Sequence, residues 1–149
     1  YDILNLDIED MDITNREFVR KTILEYHPDY VVHCAAYTAV DKAEENEDIA
    51  YKINVMGTKN IADACREIDS KMVYISTDYV FDGTIDKQYT YYPGNDTNPI
   101  NVYGKTKRDG ELAALENPKT FVVRTAWVFG KNGNNFVNII LIVGSYIFC

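Results

Sequence analysis

The chain of 149 residues contains few cysteines and histidines, and the pattern of both argues against a metal centre. Its cysteines are Cys34, Cys65 and Cys149, an odd number without the paired spacing of a zinc site or a disulfide framework. We interpret them as thiols of a reducing compartment. His27 and His33 show no metal-binding pattern either. The sequence therefore predicts no metal site and a cytoplasmic location.

Basic residues are also scarce, because 15 Lys and Arg stand against 23 Asp and Glu, which gives a net charge of −8. Nucleic acids and anionic membranes are bound through basic patches, so this charge argues against both as partners. A membrane-spanning helix needs about 18 or more apolar residues in a row, and no such run is present. We therefore expect neither a nucleic-acid nor a membrane partner.

What is present is the composition of an ordinary globular domain, with 46% hydrophobic and 26% charged residues. A chain of this length can bury one core but is short for two. It begins within the strand-like stretch "YDILNLD" and finishes with the apolar stretch "NFVNIILIVGSYIFC". We expect residues 1–149 to be the central part of a single domain from a longer protein.

Short apolar runs alternate with stretches of helical periodicity along the chain. The strands are predicted at residues 1–7, 30–36, 71–76 and 120–126, and the helices at 14–26, 41–69 and 102–116. Thr14 and Glu17 have the spacing of a capping box for the first helix. The alternation predicts the α/β class, with a doubly wound parallel sheet and helices on both faces. The polar segment 77–101 is long for a connection, which indicates a functional or lid-like loop.

A phenol and an amine stand one helical turn apart in "NVYGKTKRDGE", at Tyr103 and Lys107. A cation close to a phenol favours the phenolate, so we expect the pKa of Tyr103 to be lowered by Lys107. Such a pair suits proton delivery to a carbonyl that is receiving hydride. A Tyr and a Lys four residues apart are also common by chance, and the alternative is a solvated helix face.

The run Ser76-Thr77-Asp78-Tyr79 follows the third predicted strand directly. Ligands of parallel sheets bind outside the carboxyl ends of the strands, so Thr77 is placed to hydrogen-bond the carbonyl oxygen that Tyr103 would protonate. The alternative is an ordinary turn, because Ser, Thr and Asp are common turn residues.

Other residues after strands are candidates for cofactor or substrate contacts. Asp7 is placed to accept from a ribose hydroxyl, as acidic residues do in dinucleotide-binding folds, and Asp12 with Ile13 could line an adenine. Ala35 and Ala36 would let a ligand approach the backbone, and Trp127 could stack on a sugar or base. Each of these residues also has a purely structural interpretation as a cap, turn or packing residue, and Arg124 is interpreted as structural.

Five motifs together resemble one protein family. "AAYTAVDKAE", "STDYVFDG", "NVYGKTKRDGE", "RTAWVFG" and "NNF", in this order and spacing, resemble the dTDP-4-dehydrorhamnose reductases of the extended short-chain dehydrogenase/reductase superfamily. The resemblance covers residues 1 to about 138, and the joint match is far more specific than any one motif.

This resemblance implies a Rossmann-like fold that binds NADPH or NADH and reduces the 4-keto group of a dTDP-linked deoxyhexose to give dTDP-L-rhamnose. It makes Tyr103 the proton donor and Lys107 its partner and ribose anchor, with Asn54 as a supporting residue. The implied substrate contacts are Thr77, Asp78, Tyr79 and Trp127. The implied cofactor contacts are Asp7, Asp12, Ile13, Ala35, Ala36, Tyr37, Thr38 and Lys107.

The chain also departs from the family's pattern. The Gly-rich strand and loop that receive the pyrophosphate are missing, as is the carboxyl-terminal substrate region. We therefore expect a Rossmann-like sheet incomplete at both ends, and an isolated chain that binds cofactor poorly and turns over little.

Three alternatives stay open at this point. They are another nucleotide-sugar reductase or epimerase of the superfamily, a non-catalytic relative of the regulatory subunit of methionine adenosyltransferase, and an inactive fragment. The choice between NADH and NADPH, a homodimeric state and the structure after Asn138 are equally open.

Overall fold

The structure is a computed structural model that describes residues 2–86 and 88–130. Its helices are α1 (Arg16–Tyr26), α2 (Val40–Glu45), α3 (Glu47–Tyr51), α4 (Thr58–Glu67) and α5 (Val102–Ala114), and its strands are β1 (Tyr30–His33), β2 (Lys71–Thr77) and β3 (Thr120–Thr125). No helix within the two described ranges is long and apolar enough to cross a membrane. The motif "NNF" and Cys149 lie outside the described residues.

The three strands form one parallel sheet in the order β1-β2-β3. Tyr30 lies opposite Lys71 in the first ladder, and Thr77 lies opposite Thr125 at the far end of the second. All three carboxyl ends therefore meet at one edge of the sheet, where the polar segments after the strands gather. The predicted parallel sheet is confirmed for these strands.

The strand predicted at residues 1–7 is not observed in residues 2–7. A strand exists only through a hydrogen-bonded neighbour, and among the described residues this segment pairs with none. Its apolar side chains Ile3, Leu4 and Leu6 are exposed. Alternating apolar residues thus identified a segment of strand-like sequence without telling which partner it would need.

Helices cover only one face of the described sheet. Met72 and Tyr74 are fully buried against α4 and α5, whereas Tyr30 and Val32 on the other face are each 61% exposed. The order of the strands in the sheet is their order in the chain, so each crossover runs in the same direction across the sheet. Right-handed crossovers in one direction place the connecting helices on the same face. The expected second helical layer is therefore not seen among the described residues.

The N-cap of helix α1 lies one residue later than predicted. Asn15, not Thr14, is the N-cap, and its side chain accepts a hydrogen bond from the amide of Phe18. The Thr14 amide instead donates to the Asp12 carboxylate, which makes a turn before the helix. The helix ends where His27 adopts a left-handed conformation just before a proline.

The long helix predicted at 41–69 is interrupted. Asn46 has a non-helical backbone between α2 and α3, and a π-helical turn, Lys52–Gly57, precedes α4. Gly57, Ile61 and Cys65, which share one face of the predicted helix by their spacing of four, are all buried. Gly57 has no room for a side chain, because an added Cβ would lie 2.7 Å from Cγ1 of Ile13. Wide π turns occur often near functional sites, and this one carries Asn54.

Candidate active site

Helix α5 places Tyr103 and Lys107 at the carboxyl edge of the sheet. Two side chains satisfy the first turn of this helix, since Asn101 accepts from the Gly104 amide at 2.7 Å and Glu44 accepts from the Val102 amide at 2.8 Å. Tyr103 is half-buried, whereas Lys107 is only 3% exposed. The start of the helix is therefore fixed where the phenol and the amine must be held.

The Lys107 ammonium points into the sheet rather than into solvent. Its Nζ donates to the carbonyl oxygen of Ile75 at 2.8 Å and lies 4.2 Å from the ring centre of Tyr74. Burial lowers the pKa of Lys107 to about 8, although the nearby Glu111 carboxylate and the Cys34 thiol act to raise it. The amine can therefore change its charge just above neutral pH.

The Tyr103 phenol is held protonated. Burial raises the pKa of Tyr103, a hydrogen bond with Thr77 acts to lower it, and the charges of Asp78 and Tyr79 raise it further. Its ring meets that of Tyr79 edge-on, with the centres 5.6 Å apart. The expectation of a lowered pKa for Tyr103 is wrong for this structure, since burial of the phenol raises it. A protonated phenol at neutral pH is nevertheless what a proton donor requires.

Thr77 takes the turn role that the sequence left open, and it lies beside Tyr103, whereas its contact with a substrate carbonyl stays a prediction. It is buried, and its hydroxyl accepts from the Tyr79 amide at 3.2 Å, which caps the 3₁₀ turn Asp78–Val80. The same hydroxyl hydrogen-bonds the Tyr103 phenol. A turn-capping threonine and a threonine beside the candidate proton donor are therefore the same residue.

Asn54 ties the segment after β1 to the start of α5. Its Oδ1 accepts from the Tyr37 amide at 2.8 Å, and its Nδ2 donates to the Tyr37 carbonyl at 3.2 Å and to the Thr106 hydroxyl at 3.0 Å. The Thr106 hydroxyl in turn donates to the Tyr103 carbonyl at 3.0 Å. One buried amide thus holds both the predicted cofactor segment and the turn that carries Tyr103.

Sequence reasoning did not assign His33 to the site, yet it lies close to Lys107. Its Nε2 is 3.0 Å from the Thr58 hydroxyl, which itself donates to the Asn54 carbonyl at 2.7 Å. The hydroxyl has one proton to give, so His33 must be the donor and the proton is assigned to Nε2. Burial, with a contribution from the charge of Lys107, lowers the pKa of His33 to about 3. The ring therefore stays neutral at physiological pH and adds no second positive charge beside Lys107.

A cavity of about 990 Å³ opens beside these groups. Its lining includes three of the predicted substrate contacts, Asp78, Tyr79 and Trp127. Trp127 is 71% exposed and has a positive φ of 52°, an unusual backbone conformation for a residue with a large side chain. Thr77 and Tyr103 do not themselves line the cavity as far as the described residues define it. They lie behind the Asp78–Val80 turn.

Glu111 in the cavity wall was not singled out from the sequence. It is 1% exposed and accepts from the Ser76 hydroxyl at 2.7 Å and from two nitrogens of Arg124, each at 2.8 Å. Arg108 donates to the same carboxylate at 3.0 Å. Burial alone would raise the pKa of Glu111, but hydrogen bonds from Arg124 and Ser76 hold it below its usual value. In the sequence, only the spacing of four residues after Lys107 indicated that Glu111 shares a helix face with the lysine.

The predicted adenosine contacts lie in the turn before α1. Asp7 is exposed and accepts from the Glu9 amide at 2.8 Å. A backbone hydrogen bond from Thr14 lowers the pKa of Asp12. Ile13 lies in the core and is 8% exposed, so its side chain faces away from solvent. Their role as cofactor contacts stays a prediction.

The segment after β1 presents the second group of predicted cofactor residues. Ala35 and Thr38 are exposed, and Ala36 and Tyr37 are half-buried. Since β1 and β2 are neighbours, this segment and Thr77 share one edge of the sheet. In the part of the chain that the structure describes, no cluster of His, Cys, Asp or Glu side chains could hold a metal ion.

Comparison with known proteins gives a consistent result. The model of the family described as "RmlD substrate binding domain" matches residues 1–145. A dTDP-4-dehydrorhamnose reductase of Aggregatibacter actinomycetemcomitans is 42% identical over 142 residues, which cover 95% of this chain and 48% of that protein. The chain thus spans about half the length of this curated relative.

Two solved structures resemble the described fold closely. A dTDP-4-dehydrorhamnose reductase of Clostridium acetobutylicum superposes with a TM-score of 0.92 at 46% identity, over 96% of this chain and 50% of that one. The enzyme of Bacillus anthracis, solved in complex with NADP, gives 0.93 at 44% identity, over 98% and 52%. The Rossmann-like class expected from the sequence is confirmed by these similarities.

Proposed function

The chain belongs to the family described as the RmlD substrate binding domain, and from this premise we propose that it carries the proton-donating half of an NAD(P)H-dependent dTDP-4-dehydrorhamnose reductase. The reaction reduces the 4-keto group of dTDP-4-dehydrorhamnose to a hydroxyl. The observation that supports the proposal best is a protonated Tyr103 phenol and a buried Lys107 amine on one helix, beside Thr77 at the end of β2.

Tyr103 donates its phenolic proton to the oxygen of the carbonyl as the carbon is reduced. Its raised pKa keeps the proton in place until the oxygen gains negative charge. Thr77 lies beside the phenol, and its hydroxyl, which donates to the Asp78 carboxylate at 3.2 Å in this structure, turns to the same oxygen when the substrate is bound. Lys107 has three N–H donors, of which the Ile75 carbonyl uses one. We assign one of the other two to a ribose hydroxyl of the bound cofactor and the other to returning a proton to Tyr103 after the reaction.

The residues after β1 fit a nicotinamide cofactor. Ala35 and Ala36 leave the backbone partly open at the carboxyl end of a parallel strand, where such cofactors bind in this fold class. When bound, the cofactor supplies the hydride that reduces the carbonyl carbon. Asn54 fixes the segment by pairing with both backbone groups of Tyr37. We assign Asp7, Asp12, Ile13 and the run Ala35, Ala36, Tyr37 and Thr38 to cofactor binding on this basis.

We assign the cavity beside the Asp78–Val80 turn to the nucleotide sugar. Asp78 and Tyr79 come from that turn, and Trp127 brings an aromatic face to the same space. A carboxylate suits sugar hydroxyls, and aromatic faces suit a sugar ring or a base. The cytoplasmic location, the homodimer and the organisation of residues 1–149 as the central part of one domain remain predictions.

Replacing Tyr103 by Phe tests the proposal. In the full-length protein, Tyr103→Phe removes the proton donor but keeps the ring, so we expect kcat with dTDP-4-dehydrorhamnose to fall by about 100-fold or more. The affinity for NADPH, measured by fluorescence titration, should be unchanged. Tyr26→Phe on the exposed end of α1 is the matched control and should leave both quantities unaltered. Full turnover by Tyr103→Phe would remove Tyr103 from the mechanism.

A further inference from the structure

One buried carboxylate joins three parts of the site. Glu111 on α5 receives the Ser76 hydroxyl from β2 and the forked guanidinium of Arg124 from β3. Ser76 immediately precedes Thr77, and Glu111 follows Lys107 by one helical turn. Any shift of this carboxylate therefore moves the strand end and the helix that hold the candidate catalytic groups.

Arg124 also reaches the loop that forms another wall of the cavity. Its Nη1 lies 3.3 Å from the carbonyl oxygen of Pro93, and its guanidinium carbon lies 5.0 Å from the ring centre of Phe81. The Phe81 ring stacks on Tyr91 with the centres 4.2 Å apart. All of these residues line the cavity. One guanidinium thus contacts α5 on one side and two points of the loop on the other.

The loop has its own organising centre, separate from Arg124. Asp82 accepts from the Thr84 amide at 3.0 Å, the Tyr91 hydroxyl at 2.8 Å and Asn98 at 3.0 Å. Residues 81–86 and 88–98, which we call the loop unit, are therefore joined through one carboxylate. Among the described ion pairs and cation–π contacts, Arg124 supplies the only ones that join the loop unit to α5 and β3.

We propose that the Glu111–Arg124 pair is a positioning device, which sets the loop wall of the substrate cavity relative to the helix that carries Tyr103 and Lys107. The inference rests on the proposed function for the meaning of its kinetic test. Both residues lie within the sequence motifs, but neither was among the predicted catalytic, substrate or cofactor contacts. Neither residue touches the reacting atoms. They act by holding the bound sugar at the distance that proton transfer from Tyr103 requires.

Arginine is the residue type that this role needs. The guanidinium forms two parallel hydrogen bonds to the carboxylate and still presents a planar face to Phe81 and a further N–H to Pro93. A lysine keeps the charge but has a single nitrogen that cannot make these contacts together. Arg124→Lys is therefore the informative change, since it preserves the charge near Glu111 and removes the geometry.

The kinetic test compares Arg124→Lys with Arg20→Lys in the full-length protein. Arg20 makes a similar forked pair with Glu67 on the surface between α1 and α4, away from the cavity. For Arg124→Lys we expect the KM for dTDP-4-dehydrorhamnose to rise about tenfold while the Kd for NADPH stays constant. Arg20→Lys should change neither. Equal KM values in the two variants, per folded molecule, would overturn the proposal.

Hydrogen exchange tests the same proposal without turnover. Arg124→Lys and Glu111→Gln should each raise amide exchange in 81–95 by about tenfold, and α1 should be unaffected. In Arg20→Lys the loop should keep the exchange rate of the unmodified protein. Unchanged loop exchange in a folded Arg124→Lys variant would refute the positioning role. If the unmodified protein shows no reductase activity, the function fails but this measurement still decides whether the pair holds the loop.

Discussion

The two sides of α5 are held in place by different physical means. On the side of the π-helical turn, small residues and backbone groups meet directly, and a single buried amide, Asn54, makes three hydrogen bonds. On the side of the cavity, charged groups meet around Glu111, and a polar loop folds around Asp82. On the side of the π-helical turn the atoms are too close together for α5 to shift, whereas the other side borders the cavity.

This difference assigns separate tasks to the two sides. Packing against backbone atoms fixes Tyr103 and Lys107 relative to the sheet, since close-packed groups cannot move without a large energetic cost. The loop hydrogen bonds around Asp82 lie at the surface and can be exchanged for water at a small cost, whereas the Glu111–Arg124 pair that anchors the loop is largely buried and costly to break. The catalytic groups are therefore fixed in space, and the wall that must admit a substrate is held partly by contacts that can open.

The largest effect is expected from removing the amide on the packed side. Asn54→Ala leaves the Tyr37 amide, the Tyr37 carbonyl and the Thr106 hydroxyl without their partner in a buried place. We expect the free energy of unfolding to fall by about 3 kcal/mol, as measured by urea denaturation. Asn46→Ala, which removes one surface hydrogen bond to the Lys42 carbonyl, is the control. Similar losses in both variants would contradict the contrast between the two sides.

A smaller loss of stability is expected from adding one methyl group to the same side. In Gly110→Ala the new Cβ would lie 2.5 Å from the Asn54 carbonyl oxygen, and backbone cannot move aside as a side chain can. We expect a destabilisation of about 2 kcal/mol in the same measurement. Gly94→Ala in the loop meets no atom within 4 Å and should be neutral. A neutral Gly110→Ala would show that α5 and the π-helical turn that carries Asn54 are not closely packed.

The charge of Lys107 sharpens the comparison further, because burial on the packed side lowers its pKa from 10.5 to about 8. Above pH 8 the native protein loses this proton, so we expect kcat/KM to fall about tenfold per pH unit. The unfolded chain keeps the proton up to its higher pKa. The stability contribution of Lys107 therefore rises between about pH 8 and 10.5.

Activity and stability should thus change in opposite directions over the same pH range. An NMR titration of the Lys107 Cε resonance would give the pKa directly. A midpoint near 10.5 would show that burial does not control this amine.

Much of the site could be predicted because its residues follow strands or stand on one helix face. Tyr103 and Lys107 are one helical turn apart, and Thr77 ends a short apolar run, so local spacing places all three at the same sheet edge. Gly110 and Ala114 continue the same helix face as small residues, and both are buried. These features depend only on neighbouring positions in the chain.

Other features depend on partners far along the chain, which periodicity does not specify. Glu111 and Arg124 look like ordinary charged residues until β3 brings them together, and His33 looks like an isolated histidine until α4 covers it. The pKa of Tyr103 was predicted in the wrong direction for the same reason. Its direction is set first by the burial of the phenol, which depends on how α5 packs in the fold.

The smallest effect on global stability is expected from the centre of the loop. Asp82→Asn removes a carboxylate whose pKa is held well below its usual value, first by Asn98 and then by Thr84 and Tyr91. These contacts are at the surface, so we expect the unfolding midpoint to stay nearly unchanged. Amide exchange in this loop should nevertheless rise, because the new amide nitrogen cannot accept from Asn98 and the oxygen that remains for Thr84 and Tyr91 is an uncharged, weaker acceptor. Asp96→Asn, the same change at an exposed carboxylate of the same loop, is the control. A large fall in the unfolding midpoint for Asp82→Asn would mean that the cavity wall is as firmly built into the fold as the opposite side of α5.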